Sequence, residues 1–240
     1  MSNLEKFITL KDLKDLEDLK VCEEGLEYFK TNFSNGAQII DVIKRLEDIK
    51  TTTCWIDWLC IVFKLTYETK RWYENGQFRS ICNCKDGQKH GLCRWWYENG
   101  QPQSKYNYKD GKEHELCWHW YENGQPQSKY NYKDGKEHEL CWHWYENGQL
   151  ECSYNYNFGL YHGLCQIWYE NGQLKSSYNY NYNYKDGKEH GLCKMWYENG
   201  QLKSSYNYKK GQRHGLCQIW DENRQLRSSD NYKDGHLIDC

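Results

Sequence analysis

Trp196-Tyr197-Glu198-Asn199-Gly200-Gln201-Leu202 is the stretch whose reading decides the fold. Its Asn-Gly pair supplies positive φ at both centres of a type I′ hairpin turn, and strand-like residues flank it on either side. Read as a two-residue hairpin, Glu198 opposes Gln201, Tyr197 opposes Leu202, Met195 meets Ser204 and Cys193 meets Tyr206. Side chains alternate along a strand, so these residues share one face, while Trp196, Lys194 and Leu192 share the other with Lys203, Ser205 and Asn207.

Moving outward, the same unit returns. Its anchor tryptophans are Trp72, Trp96, Trp120, Trp144, Trp168, Trp196 and Trp220, spaced by 24 residues five times and by 28 once. His90, His114, His138, His162, His190 and His214 keep the same beat, as do Cys93, Cys117, Cys141, Cys165, Cys193 and Cys217. Residues 97–120 and 121–144 are identical, the mark of an internal duplication. Fixed-period self-similarity of this kind overrides any estimate of domain number from length. Between one Asn-Gly and the next lies a second turn pair, Asp-Gly. With a two-residue loop at Asp110-Gly111, Ser104 opposes Cys117 and Pro102 opposes His119, so the faces continue without conflict. The four extra residues around Asn181 to Tyr184 lengthen a hairpin by two on each arm and leave its faces unchanged. The expected fold is therefore mainly β: an elongated up-and-down meander of tandem antiparallel hairpins over residues 67–240. It has about seven repeats and roughly fourteen strands, on the order of 65 Å at ~4.8 Å per strand. The last repeat is degenerate, with Asp221 for Tyr and Arg224 for Gly.

Residues 1–66 read differently. Ser2 and Glu5 have capping-box spacing, and Leu10, Leu13, Leu16 and Leu19 recur at helical spacing. Further helices are expected around Leu26 to Phe33, ending near Asn35-Gly36, from Ala37 to Ile49, and from Trp55 to Leu65 behind Thr51–Thr53 as N-caps. This segment reads as a small α-helical cap for one end of the array.

Composition narrows the function. The chain has 22 Tyr, 12 Trp and 19 Gly, with aliphatic residues concentrated in the first 65 positions. The net charge is −2, divided as −3 over residues 1–70 and +1 over 71–240, which provides no field for a phosphate backbone; no nucleic-acid partner is expected. No stretch is long and apolar enough to span a bilayer, and the charged N-terminus is unlike a secretory signal, so a cytoplasmic protein is expected. In that reducing compartment the 13 cysteines read as mostly free thiols.

No catalytic residue, cofactor site or metal site is assigned. An active site needs one asymmetric constellation, and a repeat offers equivalent copies of everything. His190 and Cys193, three apart on a strand, point to opposite faces and cannot share an ion, and cysteines of successive repeats lie two strands apart. Cys82, Cys84 and Cys93 crowd one face at the start of the array. Cys117 with His119, and Cys141 with His143, share a face and could chelate. The candidate binding surface is the tryptophan row from Trp72 to Trp220, aromatic rings set among polar residues. The Tyr/Cys face is the more apolar one and needs a cover, for which a second copy of the chain is one candidate.

Units such as YNYKDGKEHGLCKMWYENGQLKSSYNY, with Asp186-Gly187, His190-Gly191-Leu192 and Trp196 to Leu202, resemble the MORN-repeat family and are nearest its variant form. The resemblance covers residues 71–240; Cys93 and its equivalents stand where the variant often has Trp. It implies a non-enzymatic protein acting by binding, with a protein partner or scaffolding role foremost and a phospholipid membrane surface as the alternative. Variant arrays in bacteria are also labelled antitoxin components, and such arrays occur in giant viruses of amoebae, where the host cytoplasm would be the setting.

Overall fold

The computed structural model describes residues 3–14, 23–49, 55–180 and 188–238. The expected positions Ser2, Leu16, Leu19, Thr51–Thr53 and the insertion at Asn181 to Tyr184 lie outside the described residues. By internal contacts the chain forms two units, Met1–Glu113 and His114–Cys240. Both are built on antiparallel meander sheet, so the chain is mostly β with a few helices near the N-terminus.

In the first unit, α1 (Leu10–Lys14), α2 (Glu23–Asn32), α3 (Ile39–Asp48) and α4 (Trp55–Val62) enclose an apolar core of Ile8, Leu13, Phe29, Ile39, Val42, Ile43, Leu46, Trp55, Ile56, Leu59 and Leu65. α3 shows how the sequence dictates this. Ile39, Val42, Ile43 and Leu46 fall at helical spacing on one stripe, and that stripe is buried, while Asp41, Lys44 and Arg45 face water. Residues 37–38, expected as the first turn of this helix, instead form a two-residue strand β2 (Ala37–Gln38) against β1 (Phe7–Ile8). Gly36, at φ +85, lets the chain double back there beneath Phe7. Gly25 faces the indole of Trp55 so closely that any Cβ would overlap it.

The sheet of this unit runs β3 (Tyr67–Trp72), β4 (Phe78–Lys85), β5 (Gln88–Trp96), β6 (Pro102–Lys109) and β7 (Lys112–Glu113), each antiparallel to the next. The helices meet it at the first Asp-Gly turn. The Gly87 amide donates to the Leu65 carbonyl at 3.0 Å, and a Cβ on Gly87 would press on the Cys60 and Ile61 carbonyls. Arg71 pairs with Asp57 of α4 in the same region.

The second unit repeats one hairpin design: β8 (Glu115–Trp120), β9 (Pro126–Lys133), β10 (Lys136–Glu137), β11 (Glu139–Trp144), β12 (Leu150–Asn157), β13 (Leu160–Tyr161), β14 (Gly163–Trp168), β15 (Leu174–Tyr180), β16 (Gly191–Trp196), β17 (Leu202–Lys209), β18 (Gln212–Arg213), β19 (Gly215–Trp220), β20 (Leu226–Lys233) and β21 (His236–Ile238).

The two turn types differ. At Asp-Gly both residues have positive φ (Asp134 54°, Gly135 77°) and Lys133 pairs with Lys136, which is the two-residue type I′ turn expected. At Asn-Gly only the glycine does. The Gly200 amide donates to Tyr197 O and the Tyr197 amide to Gln201 O, so Glu198-Asn199-Gly200 is a three-residue loop with glycine in the left-handed position. One residue too many is then taken up by a bulge. Met195 still pairs with Ser204 and Cys193 with Tyr206 as expected, but Trp196, not Tyr197, pairs with Leu202. Leu202 thereby joins the tryptophan face, contrary to the two-residue reading.

A second register step follows each Asp-Gly turn. In the duplicated block Tyr132 pairs with Glu137, yet His143 pairs with Ser128, two positions from the pairing that an uninterrupted ladder gives. The extra pair is His138-Glu139, where the His138 amide donates to Asn131 O and Glu139 takes φ +64. Ser128 opposite Cys141, the counterpart in the identical block of the expected Ser104 opposite Cys117, is displaced by this step. Because the step is even, no side chain changes face. Elsewhere Gly91, Gly163, Gly191 and Gly215 hold this left-handed position, which explains the His-Gly-Leu signature.

Three substitutions test these points. Gly25→Ala should lower unfolding stability by about 1–3 kcal/mol in a urea titration, since the methyl must displace Trp55. Glu115→Gly should raise it by about 0.5–1 kcal/mol by relieving a left-handed non-glycine residue; Glu139→Gly should gain less, because it forfeits the 2.7 Å bond from Asn131.

Candidate binding surface

Each face is set by the register. On the Tyr/Cys face the rows that cross the strands alternate large and small residues. One row of cross-strand partners runs His119, Ser128, His143, Cys152, Ile167, Ser176, Met195, Ser204, Ile219, Ser228. In the next, Cys117 faces Tyr130, Cys141 faces Tyr154 and Cys193 faces Tyr206. Each of these cysteines stands directly opposite a tyrosine. The six recurring cysteines are accordingly 0–3% exposed, and none of them is in a disulfide. Burial pushes the Cys141 and Cys152 thiols up to about 11 and raises Tyr154 and Tyr156 as well, so these four groups are neutral at neutral pH. His119 and His143, half-buried in the same face, are both depressed by desolvation, His119 further by the charge of His143.

The other face carries the tryptophans. Trp72 is buried and Trp96, Trp120, Trp144, Trp168, Trp196 and Trp220 are half-buried. In the first unit Phe78 lies between Trp72 and Trp96, with ring centroids 5.7 and 6.3 Å away, and the Arg94 guanidinium sits over Trp96. In the second, Trp118 stacks on Trp120 and Trp144, and Lys129 lies over Trp118 and Trp142. The residue after each Asn-Gly-Gln, placed on this face by the bulge, interleaves with the rings: Trp196, Leu202 and Trp220 line one shallow groove. A parallel row of leucines stands out into solvent, with Leu164 48%, Leu192 45% and Leu216 49% exposed. Between the two apolar rows lie Gln166, Lys194 and Gln218. The face is apolar, polar and apolar in stripes, a pattern the sequence reading missed because it assigned Leu202 and its equivalents to the opposite side.

The turns of successive hairpins are tied by a repeated pair of bonds. Tyr73 Oη donates to Trp96 O, Tyr121 to Trp144 O, Tyr145 to Trp168 O, Tyr169 to Trp196 O and Tyr197 to Trp220 O, at 2.8–3.0 Å. Asn75, Asn123, Asn147 and Asn171 each donate through Nδ2 to the matching Glu carbonyl. Asp221 takes the place of this tyrosine in the final hairpin and instead accepts from the Asn223 and Gln225 amides of its own turn.

Glycine at each left-handed position, the bulged hairpin and the Tyr-to-Trp tie describe one recurring unit, and sequence comparison agrees. The profile of the MORN repeat variant matches residues 89–110, 119–134, 161–182 and 189–210. These are MORN repeats. As a class MORN repeats serve in binding and scaffolding. No curated protein matches the chain. Among solved structures, a crystal structure of S. aureus TarM in complex with fondaparinux, alpha-GlcNAc-glycerol and UDP is similar to 62% of this chain at 11% identity with a TM-score of 0.27; the chain covers 26% of that protein, and a likeness this low carries no argument.

The cysteines at the start of the array do crowd one face, near enough that Cys93 raises the thiol pKa of both Cys82 and Cys84. Cys82 is the cross-strand partner of Cys93, while Cys84 faces Lys89. Cys82 and Cys84 line a cleft of about 300 Å³ with Asp57, Arg71, Lys89 and Trp95. Cys141 and His143 do share a face, but the two ligand atoms grouped with His143 within 4.8 Å come from β12. No helix among the described residues is long and apolar enough to cross a membrane.

The depressed histidines give a pH signature. A group whose folded pKa lies below its unfolded value binds fewer protons when folded, so stability falls as pH drops below about 6.5, the ordinary histidine value. The double variant His119→Gln with His143→Gln should therefore lose less stability than the parent between about pH 7 and pH 5 when urea midpoints are compared.

Proposed function

We propose that this MORN array is a non-enzymatic interaction module that takes up a protein partner on its tryptophan face. The observation that supports it is the asymmetry of the sheet. On the Tyr/Cys face the small residues are buried between half-buried large ones, with Ile219 37% exposed, whereas the tryptophan face leaves Leu164, Leu192 and Leu216 45–49% exposed in a row beside half-buried rings. Exposed apolar side chains in a continuous row are characteristic of protein interfaces, and aromatic anchors held rigid by stacking lose little entropy when a partner binds. A partner with an amphipathic segment would set its apolar residues on the leucine and tryptophan rows and its polar ones over Gln166, Lys194 and Gln218.

A lipid surface fits less well. Residues 71–240 carry a net charge of only +1, and several of the cations on this face, Arg94 and Lys129 among them, are already engaged over indole rings.

The test pairs Leu192→Glu with Leu216→Glu, both outside the packed rows, and compares proximity labelling by the parent and the variant. The parent should recover a reproducible set of proteins, and the variant should lose it while keeping its circular dichroism spectrum. Recovery that is indifferent to the two charges would overturn the assignment to this face, and sedimentation with phosphoinositide vesicles in place of protein capture would transfer it to membranes.

A further inference from the structure

In a regular strand Glu151 and Cys152, being adjacent, point to opposite faces. Here they are brought together. Between His143 and Trp144 the register steps, so that His143 pairs with Cys152 and Trp144 with Leu150, leaving Glu151 as the extra residue of the bulge. Two consecutive side chains thus flank one histidine. A ring nitrogen of His143, a carboxylate oxygen of Glu151 and Sγ of Cys152 lie within 4.8 Å of one another. It is the one such group of three among the described residues.

The bulge recurs in every unit, but its donors do not. Where β12 has Glu151-Cys152, the other units carry a cationic or amide residue followed by serine, as in Gln127-Ser128 and Lys203-Ser204. The preceding unit is an internal control. His119 pairs with Ser128 across an equivalent bulge that leaves out Gln127, which gives the same backbone with neither carboxylate nor thiol. Both departures from the repeat are therefore adjacent, and both add a metal donor opposite a histidine already present.

We propose that His143, Glu151 and Cys152 bind one divalent zinc ion, clipping β11 to β12. Imidazole, thiolate and carboxylate are all zinc donors, and with both acids ionised they neutralise the ion's charge. Ligand atoms on a tetrahedral zinc lie about 3.3–3.6 Å apart given bonds of about 2.0–2.3 Å, so closing the site takes roughly an ångström of side-chain rotation. Glu151 and His143 are half-exposed, which leaves the fourth position to water. Surrounding groups hold the donors in place. The Tyr130 hydroxyl is 3.0 Å from His143 Nε2, and Tyr154, paired with Cys141 on the same face, lies two residues beyond Cys152. Loading transfers the Cys152 thiol proton to solvent and leaves the thiolate on the metal.

Cobalt(II) chloride, titrated into the full chain under a phosphine reductant, reports on thiolate ligation through its charge-transfer absorption. One equivalent should bind with that band and with the visible spectrum of a tetrahedral ion, zinc should displace it, and zinc should raise the melting temperature. Cys152→Ser, which restores the serine of the other units and so suits the fold, should abolish the band; Glu151→Gln should weaken binding at least tenfold. The double variant Gln127→Glu with Ser128→Cys should gain a second equivalent. Absence of a thiolate band in the parent, or its persistence in Cys152→Ser, overturns the site. Failure of the double variant to gain metal overturns the bulge as its basis.

Discussion

Left-handed backbone at three points in each unit governs everything else in this protein. L-residues other than glycine, and to a lesser degree Asn and Asp, resist positive φ, so the repeat reserves glycine for the Asn-Gly loop, the Asp-Gly turn and the His-Gly step. Each point sets a count of residues. The Asp-Gly turn adds two, the Asn-Gly loop three, and the His-Gly step skips two. Parity follows from these counts, and parity decides which side chains meet on which face. The interleaved tryptophan and leucine rows, the buried cysteines and the bulge at Glu151 are all consequences of that arithmetic.

The residues that break the rule are informative. Glu115 and Glu139 occupy a left-handed position in the duplicated block, and Arg224 does so at φ +65 in the last hairpin. There Asp221 secures its own loop through two backbone amides, which a tyrosine reaching outward would not do. What looks like erosion in the sequence is a locally self-sufficient turn.

Much of this was legible from the chain alone, and the rest was hidden for identifiable reasons. Period, hairpin sense and the separation of Trp196 from Cys193 follow from alternation, which survives any even register step. The step at His138-Glu139 was therefore invisible: it moves Ser128 from Cys141 to His143 without turning either over. The odd step was harder still, because Asn-Gly serves two-residue and three-residue loops equally well, and only the backbone conformation of Asn199 separates them. That one residue carried Leu202 to the tryptophan face. For the same reason Glu151 and Cys152 appeared to be on opposite sides, and no scan for donors sharing a face would have joined them. In the helical segment, the stripe on α3 was readable because burial and period coincide, whereas the small strand at Ala37–Gln38 depends on a partner at Phe7–Ile8 that pattern alone does not reveal.

The tie from each tyrosine hydroxyl to the tryptophan carbonyl one unit on has an evolutionary reading. Hairpins that keep this tyrosine present the same donor forward and the same acceptor backward, so a block copied in whole periods arrives with its connections already matched. Residues 97–120 and 121–144 record such an event without a single compensating change. Selection can thus adjust the number of units by recombination, independently of the residues inside them, and only afterwards does a copy such as the one bearing Glu151 and Cys152 become free to acquire chemistry of its own.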